Sequence, residues 1–215
     1  MTKNVQIDFV SDVVCPWCVI GLRELERALA RVADVIQPTI HLQPYELNPS
    51  IPAEGQAIVD IYKQKFGKTF DQMAAGREGV RARANDVGFK IVVNEQTRIP
   101  NTFNAHRLLH WAELKGKQIA LKHALFTAHF TEGRNIADHE VLIERATSVG
   151  LDSDEARKVL ADGLYGEEVK AAEQMWQSSG INSVPAIVIN RKHLISGGQT
   201  AAVFEATLRK IAAET

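Results

Sequence analysis

Hydrophobic and polar residues alternate near the start of the chain, and apolar residues then recur at helical spacing. Val5, Ile7 and Phe9 are separated by glutamine and aspartate, the period-2 pattern of a strand. A helix is predicted to follow, with Pro16 in its first turn, where the missing N–H is no loss. A second strand is predicted over residues 39–47, parallel to the first because a helix intervenes. The N-terminal part of the chain is therefore predicted to be a β-α-β unit.

A cluster of turn-forming residues, Asn-Pro-Ser-Ile-Pro-Ala-Glu-Gly at positions 48–55, interrupts this pattern. The spacing of apolar residues is mostly helical beyond it, which predicts an inserted all-helical domain over residues 51–163. After the insertion the pattern predicts a helix, a buried strand, a hairpin into another strand and a last helix. The predicted fold class is α/β, with the β-α-β unit and a C-terminal α-β-β-α unit forming one domain from residues 1–50 and 164–215.

The composition is that of an ordinary globular protein, with 45% hydrophobic and 24% charged residues in a chain of 215. Twenty-five basic and 26 acidic residues give a formal net charge of −1, so no overall field attracts nucleic acid or an anionic membrane. Arg77, Arg81 and Arg83 are interpreted as a solvated helix face. No apolar stretch approaches the roughly 20 residues that span a bilayer, and the first residues lack a secretory-signal pattern. We expect a cytoplasmic protein with neither nucleic-acid nor membrane partners.

The two cysteines of the chain, Cys15 and Cys18, enclose Pro-Trp between the first predicted strand and helix. Two cysteines are too few for a disulfide-scaffolded fold. The unpaired N–H groups of a helix N-terminus stabilise a thiolate, which makes Cys15 the predicted nucleophile and Cys18, one turn later, the resolving thiol. A zinc site would need about four ligands, and only His106 and His110 offer a further suitable spacing. Zinc and a purely structural thiol pair are the alternatives, and we expect no metal.

A late loop ends in Pro185, the first residue of a predicted strand. A trans bond is the ordinary expectation, because only about 5–6% of X-Pro bonds are cis. A cis bond would direct the Val184 backbone at the cysteines and leave its N–H and C=O free to pair with an extended peptide. Both alternatives are open at this point.

Together, Cys-Pro-Trp-Cys after a strand, a late Val-Pro before a strand and a helical insertion between them resemble the DsbA-like branch of the thioredoxin superfamily. Residues 11–18 (Ser-Asp-Val-Val-Cys-Pro-Trp-Cys) and 101–108 (Asn-Thr-Phe-Asn-Ala-His-Arg-Leu) resemble its FrnE-like subfamily of cytoplasmic dithiol–disulfide oxidoreductases. The resemblance covers nearly the whole chain. It implies that the two terminal segments form a thioredoxin-like domain, with Cys15 the nucleophile, Cys18 the resolving thiol and Pro185 a cis-proline.

The same branch is similar to the kappa-class glutathione transferases and the 2-hydroxychromene-2-carboxylate isomerases. A serine usually stands in those enzymes where Cys15 stands here, so retention of both cysteines favours redox chemistry. Asn101 and Thr102 are candidates to line the same cleft and to hold glutathione or a peptide. Capping of the following helix is the alternative role for both residues.

The remaining candidate site residues surround the cysteines. Pro16, Trp17 and Val184 are predicted to contact substrate. Asp12 is a candidate for proton transfer from Cys18, and hydrogen bonding to local backbone is its alternative role.

The first predicted function is that of a thiol–disulfide oxidoreductase or isomerase, with no bound cofactor. Its partners would be thiols and disulfides of proteins or small molecules, with glutathione as a co-substrate or a thioredoxin system to recycle the dithiol. The second is a glutathione-dependent isomerase or transferase that acts on an aromatic or polyketide-like small molecule. The third is a holdase that binds unfolded chains.

Overall fold

The computed structural model describes residues 2–52 and 54–214. Met1 and Thr215, at the ends of the predicted thioredoxin-like domain, and Ala53, in the predicted boundary segment, lie outside the described residues. No helix in the described part of the chain is long and apolar enough to cross a bilayer.

A four-stranded sheet forms the centre of the fold. Strand β1 (Lys3–Ser11) pairs in parallel with β2 (Ile36–Pro44) and antiparallel with β5 (Ala186–Ile189). Strand β6 (His193–Ser196) pairs antiparallel with β5 at one edge. The parallel pairing of β1 and β2 across a helix confirms the predicted β-α-β unit.

Helices cover the sheet and make up most of the middle of the chain. They are α1 (Pro16–Arg31), α2 (Ile58–Phe66), α3 (Ala74–Asp86), α4 (Phe103–Leu114), α5 (Gln118–Phe126), α6 (His139–Ser148), α7 (Ser153–Ala161), α8 (Gly166–Ser178) and α9 (Ala201–Glu214). A 3₁₀ turn (Asp71–Met73) precedes α3, and a π-helical turn (Thr127–Thr131) follows α5.

The segment predicted as all-helical also contains two short strands, which corrects that expectation. Strand β3 (Gln56–Ala57) pairs antiparallel with β4 (Arg98–Ile99). Gly55 has a left-handed backbone, with φ of 75°, and packs against Ile99. A Cβ at Gly55 would lie 2.9 Å from the carbonyl oxygen of Ile99. Each strand has two residues, which is too short to produce a period-2 pattern in the sequence.

Strand β1 is buried on both faces, and its alternating side chains enter different clusters. Ile7 and Phe9 pack with apolar residues of α1 and α9, whereas Val10 packs with Trp176 of α8 on the other face. Asp8 is fully buried, and its carboxylate accepts hydrogen bonds from Gln6, Gln43 and Arg191. These hydrogen bonds connect β1 to β2 and to the turn between β5 and β6.

The apolar cores extend across the predicted domain boundaries. The cluster around β1 and α1 includes Phe126 and Phe130, which lie in the inserted segment. Conversely, Val13 and Val14, which precede the cysteines, pack in the cluster formed by α4 to α7. The inserted segment therefore packs directly against the turn that carries the cysteines.

Candidate active site

The two cysteines lie at the N-terminus of α1. Cys15 is the N-cap residue with extended backbone (φ −91°, ψ 114°), and Pro16 occupies the first turn. The Cys18 N–H donates to the Cys15 carbonyl at 3.0 Å. Cys18 is fully buried, whereas Cys15 has 4% of its surface exposed, and both are free thiols. The helix begins where the sequence predicts, with Cys15 next to its unpaired N–H groups.

The late proline loop lies against the nucleophile candidate. The Val184–Pro185 peptide bond is cis, as the resemblance implies. The Cys15 thiol donates to the Val184 carbonyl, with 3.6 Å between Sγ and oxygen. Val184 is half-buried and Pro185 is buried. The structure thus brings Cys15, Val184 and Pro185 together, although their catalytic and binding roles stay predictions.

Two glycines, Gly21 in α1 and Gly198 after β6, allow α1 to pack closely against Pro185 and against the segment that follows β6. A Cβ on Gly21 would lie 3.1 Å from Cγ of Pro185, and a Cβ on Gly198 would lie 2.9 Å from the carbonyl oxygen of Trp17. Real Cβ atoms essentially never approach within 3.0 Å of such an atom. The position of the dithiol against the proline loop therefore depends on the absence of side chains at these two glycines.

Replacing Gly198 with alanine tests this close packing. Because the new Cβ must displace the backbone of Trp17, we expect the free energy of unfolding to fall by about 1–3 kcal/mol and disulfide exchange to slow. Urea-induced unfolding measures the first effect. Gly79→Ala in α3 is the control, since nothing lies within 4 Å of its Cβ and alanine stabilises a helix by about 0.5–1 kcal/mol over glycine. Equal stabilities of the two variants would contradict the packing argument.

A buried hydrogen-bonded pair lies next to the dithiol. Asp12 Oδ2 accepts from the Leu47 N–H at 2.8 Å, and Asp12 Oδ1 lies 3.3 Å from Nε2 of His106 on α4. Burial opposes ionisation of Asp12, but the hydrogen bond with His106 and the Leu47 N–H hold the pKa of its carboxyl below the ordinary value. Burial lowers the pKa of His106, which favours neutral imidazole that donates Nε2–H to an ionised Asp12.

A lysine from the inserted segment supplies a positive charge near Cys18. Lys122 on α5 is 1% exposed. Burial lowers the pKa of Lys122 to about 8, whereas interactions with Cys18, Asp12 and Cys15 favour its charged form. Burial raises the pKa of the Cys18 thiol well above its ordinary value, and Cys15 raises it further, while Lys122 opposes the shift. Cys18 is thus a protonated thiol, and Lys122 is the cation that favours its thiolate form.

The structure shows Asn101 in the capping role. Its Oδ1 accepts from the N–H of Phe103 at 3.0 Å, and its Nδ2 donates to the carbonyl of Ile51 at 3.1 Å. Thr102 is the buried N-cap residue of α4, and its side chain makes no capping hydrogen bond. Asn101 therefore connects the start of α4 to the turn-forming segment at residues 48–55 through hydrogen bonds. Substrate binding by these two residues stays a prediction.

An apolar cavity of about 510 Å³ lies beside the motif. Pro16 and Trp17 form part of its wall, and residues of α2, α3, the segment before β4 and the π-helical turn form most of the rest. Trp17 is 40% exposed, whereas Trp111 and Trp176 are each 3% exposed, as expected for core residues. We name this space the Trp17 cavity.

Sequence reasoning missed or misread several residues near the motif. The sequence offers His106 as a metal ligand, a substrate contact or a packed residue, and the structure shows it buried against Asp12. Lys122 lies among Leu121, Leu125 and Phe126 on the buried face of α5, and a lone lysine at such a position is the signal that could have identified it.

Arg77 does not belong to a solvated face, because its guanidinium stacks over the Phe70 ring at 3.5 Å. Among the described residues, no three His, Cys, Asp or Glu side chains are grouped as metal ligands would be.

Comparison with known proteins places this geometry in a family. The DsbA-like thioredoxin domain matches residues 6–209. The chain belongs to the DsbA-like thioredoxin family. A probable DsbA oxidoreductase of this type from Streptomyces coelicolor is 32% identical, with a TM-score of 0.90 over 98% of this chain and 91% of that one.

Two further proteins match most of the length of this chain. The uncharacterized protein YwbO of Bacillus subtilis is 29% identical over 94% of each chain. The cytosolic disulfide reductase DsbM of Pseudomonas aeruginosa, solved also with GSH, shares the fold at 18% identity, with a TM-score of 0.66 over 98% of this chain and 100% of that one. The thioredoxin fold with an insertion, predicted from the sequence, is thereby confirmed.

Proposed function

We propose that this protein catalyses thiol–disulfide exchange, with Cys15 as the nucleophile and Cys18 as the resolving thiol. The observation that carries the proposal is the position of the Cys15 thiol, at the N-terminus of α1 and 3.6 Å from the Val184 carbonyl. Membership in the DsbA-like family supports it. The FrnE-like subfamily stays a prediction from the sequence.

The first step is attack of the Cys15 thiolate on a substrate disulfide. The sulfur–sulfur bond of the substrate breaks as a bond from Cys15 Sγ forms, and one substrate sulfur leaves as a thiolate that takes up a proton from water. The N–H groups at the start of α1 stabilise the attacking thiolate. Pro16, Trp17 and the Val184 backbone would contact the substrate around the reacting sulfur. The product is a mixed disulfide on Cys15.

The second step is attack of Cys18 on the Cys15 sulfur. Cys18 must lose its proton, which burial disfavours. Asp12, whose hydrogen bonds hold it ionised, is the proposed proton acceptor, and Lys122 would stabilise the thiolate as it forms. The Cys15–Cys18 bond then forms, and the second substrate sulfur leaves as a thiolate. In isomerisation, a thiol of the substrate would resolve the mixed disulfide instead of Cys18.

The oxidised dithiol must be reduced before another reductive cycle. Glutathione or a thioredoxin system would supply the two electrons, and the shared fold of DsbM, a cytosolic reductase solved with GSH, supports glutathione as a co-substrate. We infer a cytoplasmic location, because two cysteines suit a dithiol that is kept in exchange with a reducing thiol pool.

A redox titration in glutathione buffers tests the proposal. Because Trp17 lies between the cysteines and is the most exposed tryptophan, its fluorescence is expected to follow a reversible two-electron transition. Cys18→Ser is the control, since it cannot form the internal disulfide and is expected to collect one glutathione per chain, detected by mass spectrometry. Wild-type thiols that stay free in every buffer would refute the proposal.

The Trp17 cavity favours a second candidate, a glutathione-dependent isomerase or transferase for an apolar small molecule. Its volume lies in the range of ordinary ligand sites. Such an enzyme would need glutathione but no internal disulfide. Glutathione-dependent turnover of an aromatic substrate that survives Cys18→Ser would select this candidate over the first.

A further inference from the structure

The charges around the Trp17 cavity have one sign. Lys65, Arg77 and Arg81 line it, and no acidic residue occurs among the described lining residues. Lys65 and Arg81 lie at its exposed edge, since 41% of the Arg81 side chain is accessible and Lys65 is exposed. Arg81 pairs with Glu78, which lies outside the lining, at 2.6 Å, so Lys65 and Arg77 contribute most of the positive charge at the mouth. Lys65 donates one hydrogen bond, to the Leu47 carbonyl at 3.1 Å, and an ammonium has three donors. The mouth of the cavity is therefore cationic and retains donors for a ligand.

The interior of the Trp17 cavity is apolar. Buried Ile58, Ile61, Ile91 and Phe130 are among the residues that line it. A cavity with a charged mouth and an apolar interior favours a ligand with one acidic end and one apolar body, because each end then meets its complement.

His129 is a buried polar residue of the cavity lining. The π-helical turn Thr127–Thr131 carries it, and such turns occur frequently at functional sites. The side chain is 6% exposed and lies between the Trp17 cavity and a polar cavity of about 450 Å³. Burial lowers the pKa of His129 to about 4, so the ring is neutral at pH 7. Within residues 2–52 and 54–214 its ring contacts Phe130 but forms no hydrogen bond.

We propose that the Trp17 cavity binds a small amphipathic anion, with its acidic group at Lys65, Arg77 and Arg81 and its apolar body against Trp17. A hydroxyl or carbonyl group of the ligand would hydrogen-bond to His129. The inference rests on the proposed function in one respect, that the ligand is a substrate or co-substrate of the neighbouring dithiol. Binding itself needs no thiol chemistry.

Calorimetric titration of the Cys15→Ser, Cys18→Ser double variant measures this binding apart from thiol exchange. The probes are 6-hydroxy-2-naphthoate and the neutral 6-(hydroxymethyl)-2-naphthol, which share an apolar body and a hydroxyl group. We expect the anion to bind at least about 10-fold more tightly, since a hydrogen bond to a charged group is stronger than one between neutral groups. Lys65→Gln, introduced into the double variant, is expected to remove most of the preference for the anionic probe. Lys63→Gln, on the same helix but outside the cavity lining, is expected to leave that preference unchanged.

His129→Phe, made in the same double variant, tests the hydrogen bond. The variant is expected to weaken binding of 6-hydroxy-2-naphthoate several-fold and to leave 2-naphthoate, which lacks the hydroxyl group, unchanged. Equal binding of the anionic and neutral probes, or tight binding of an apolar peptide in their place, would overturn the proposal. Normal thiol exchange by the wild-type protein together with either result would overturn this inference and leave the proposed function intact.

Discussion

Replacing Cys15 with serine is expected to lower the rate of disulfide exchange by at least about 10³-fold, because a hydroxyl cannot replace a thiolate as nucleophile at neutral pH. Serine is close to cysteine in size and can still donate a hydrogen bond to the Val184 carbonyl, which the thiol contacts at 3.6 Å. The free energy of unfolding should therefore change by less than about 1 kcal/mol. Reduction of a fluorogenic peptide disulfide, with urea-induced unfolding in parallel, measures both effects.

Cys18→Ser is the matched variant for this experiment. It keeps the nucleophile, so it is expected to react once and then to stop as a mixed disulfide, from which one substrate thiol per chain is released. Cys15→Ser should form no such adduct. If Cys15→Ser formed the adduct and Cys18→Ser did not, the assignment of the two thiols would be reversed.

Replacing Lys122 with methionine is expected to slow the resolving step by about 10-fold or more. An opposite charge nearby shifts a pKa by about 1–3 units, and each unit changes the thiolate fraction of Cys18 tenfold. Because Lys122 is buried and, in the described part of the chain, forms no ion pair within 4.0 Å, the free energy of unfolding should not fall. Stopped-flow measurement of decay of the mixed disulfide gives the resolving rate.

The pH dependence separates an electrostatic role of Lys122 from a packing role. Its pKa is lowered to about 8, so its charge is present below pH 8 and is lost as the pH rises through that value. The ratio of wild-type to Lys122→Met resolving rates should accordingly be largest near pH 7 and should decline above pH 8. Lys115→Met, at an exposed ion pair with Glu155, is the control and should match wild type. A ratio that does not vary with pH would reject the electrostatic role.

Local patterns in the sequence were sufficient for the parts of the site that depend on neighbours along the chain. The strand before Cys15 follows from the alternation of Ile7 and Phe9 with polar residues, and the position of the dithiol follows from Pro16 at the start of α1. The N-terminus of α7 likewise depends on neighbours along the chain, since the Asp152 side chain accepts from the N–H of Glu155 at 2.8 Å.

Residues that depend on tertiary packing could not be predicted in this way. His106 reaches Asp12 across 94 positions of the chain, and no periodicity shows which side chain such a helix buries against a distant turn. The position of Lys122 on an apolar helix face, at a cost in desolvation, is visible in the sequence, but nothing in the pattern shows that Cys18 is the group it faces. The pairing of β3 with β4 depends on a contact between two dipeptides, which has no sequence signature.

The ionisable side chains near the dithiol come from two parts of the chain. Asp12 belongs to the strand–turn segment that carries the motif, whereas His106 and Lys122 belong to helices of the insertion. An exchange of the insertion between relatives, by recombination or by design, would therefore alter the redox behaviour of an unchanged Cys-Pro-Trp-Cys sequence. Two members with identical motifs could inherit opposite preferences for oxidising and reducing partners, and a chimera built at residues 50 and 164 would follow the donor of its helices.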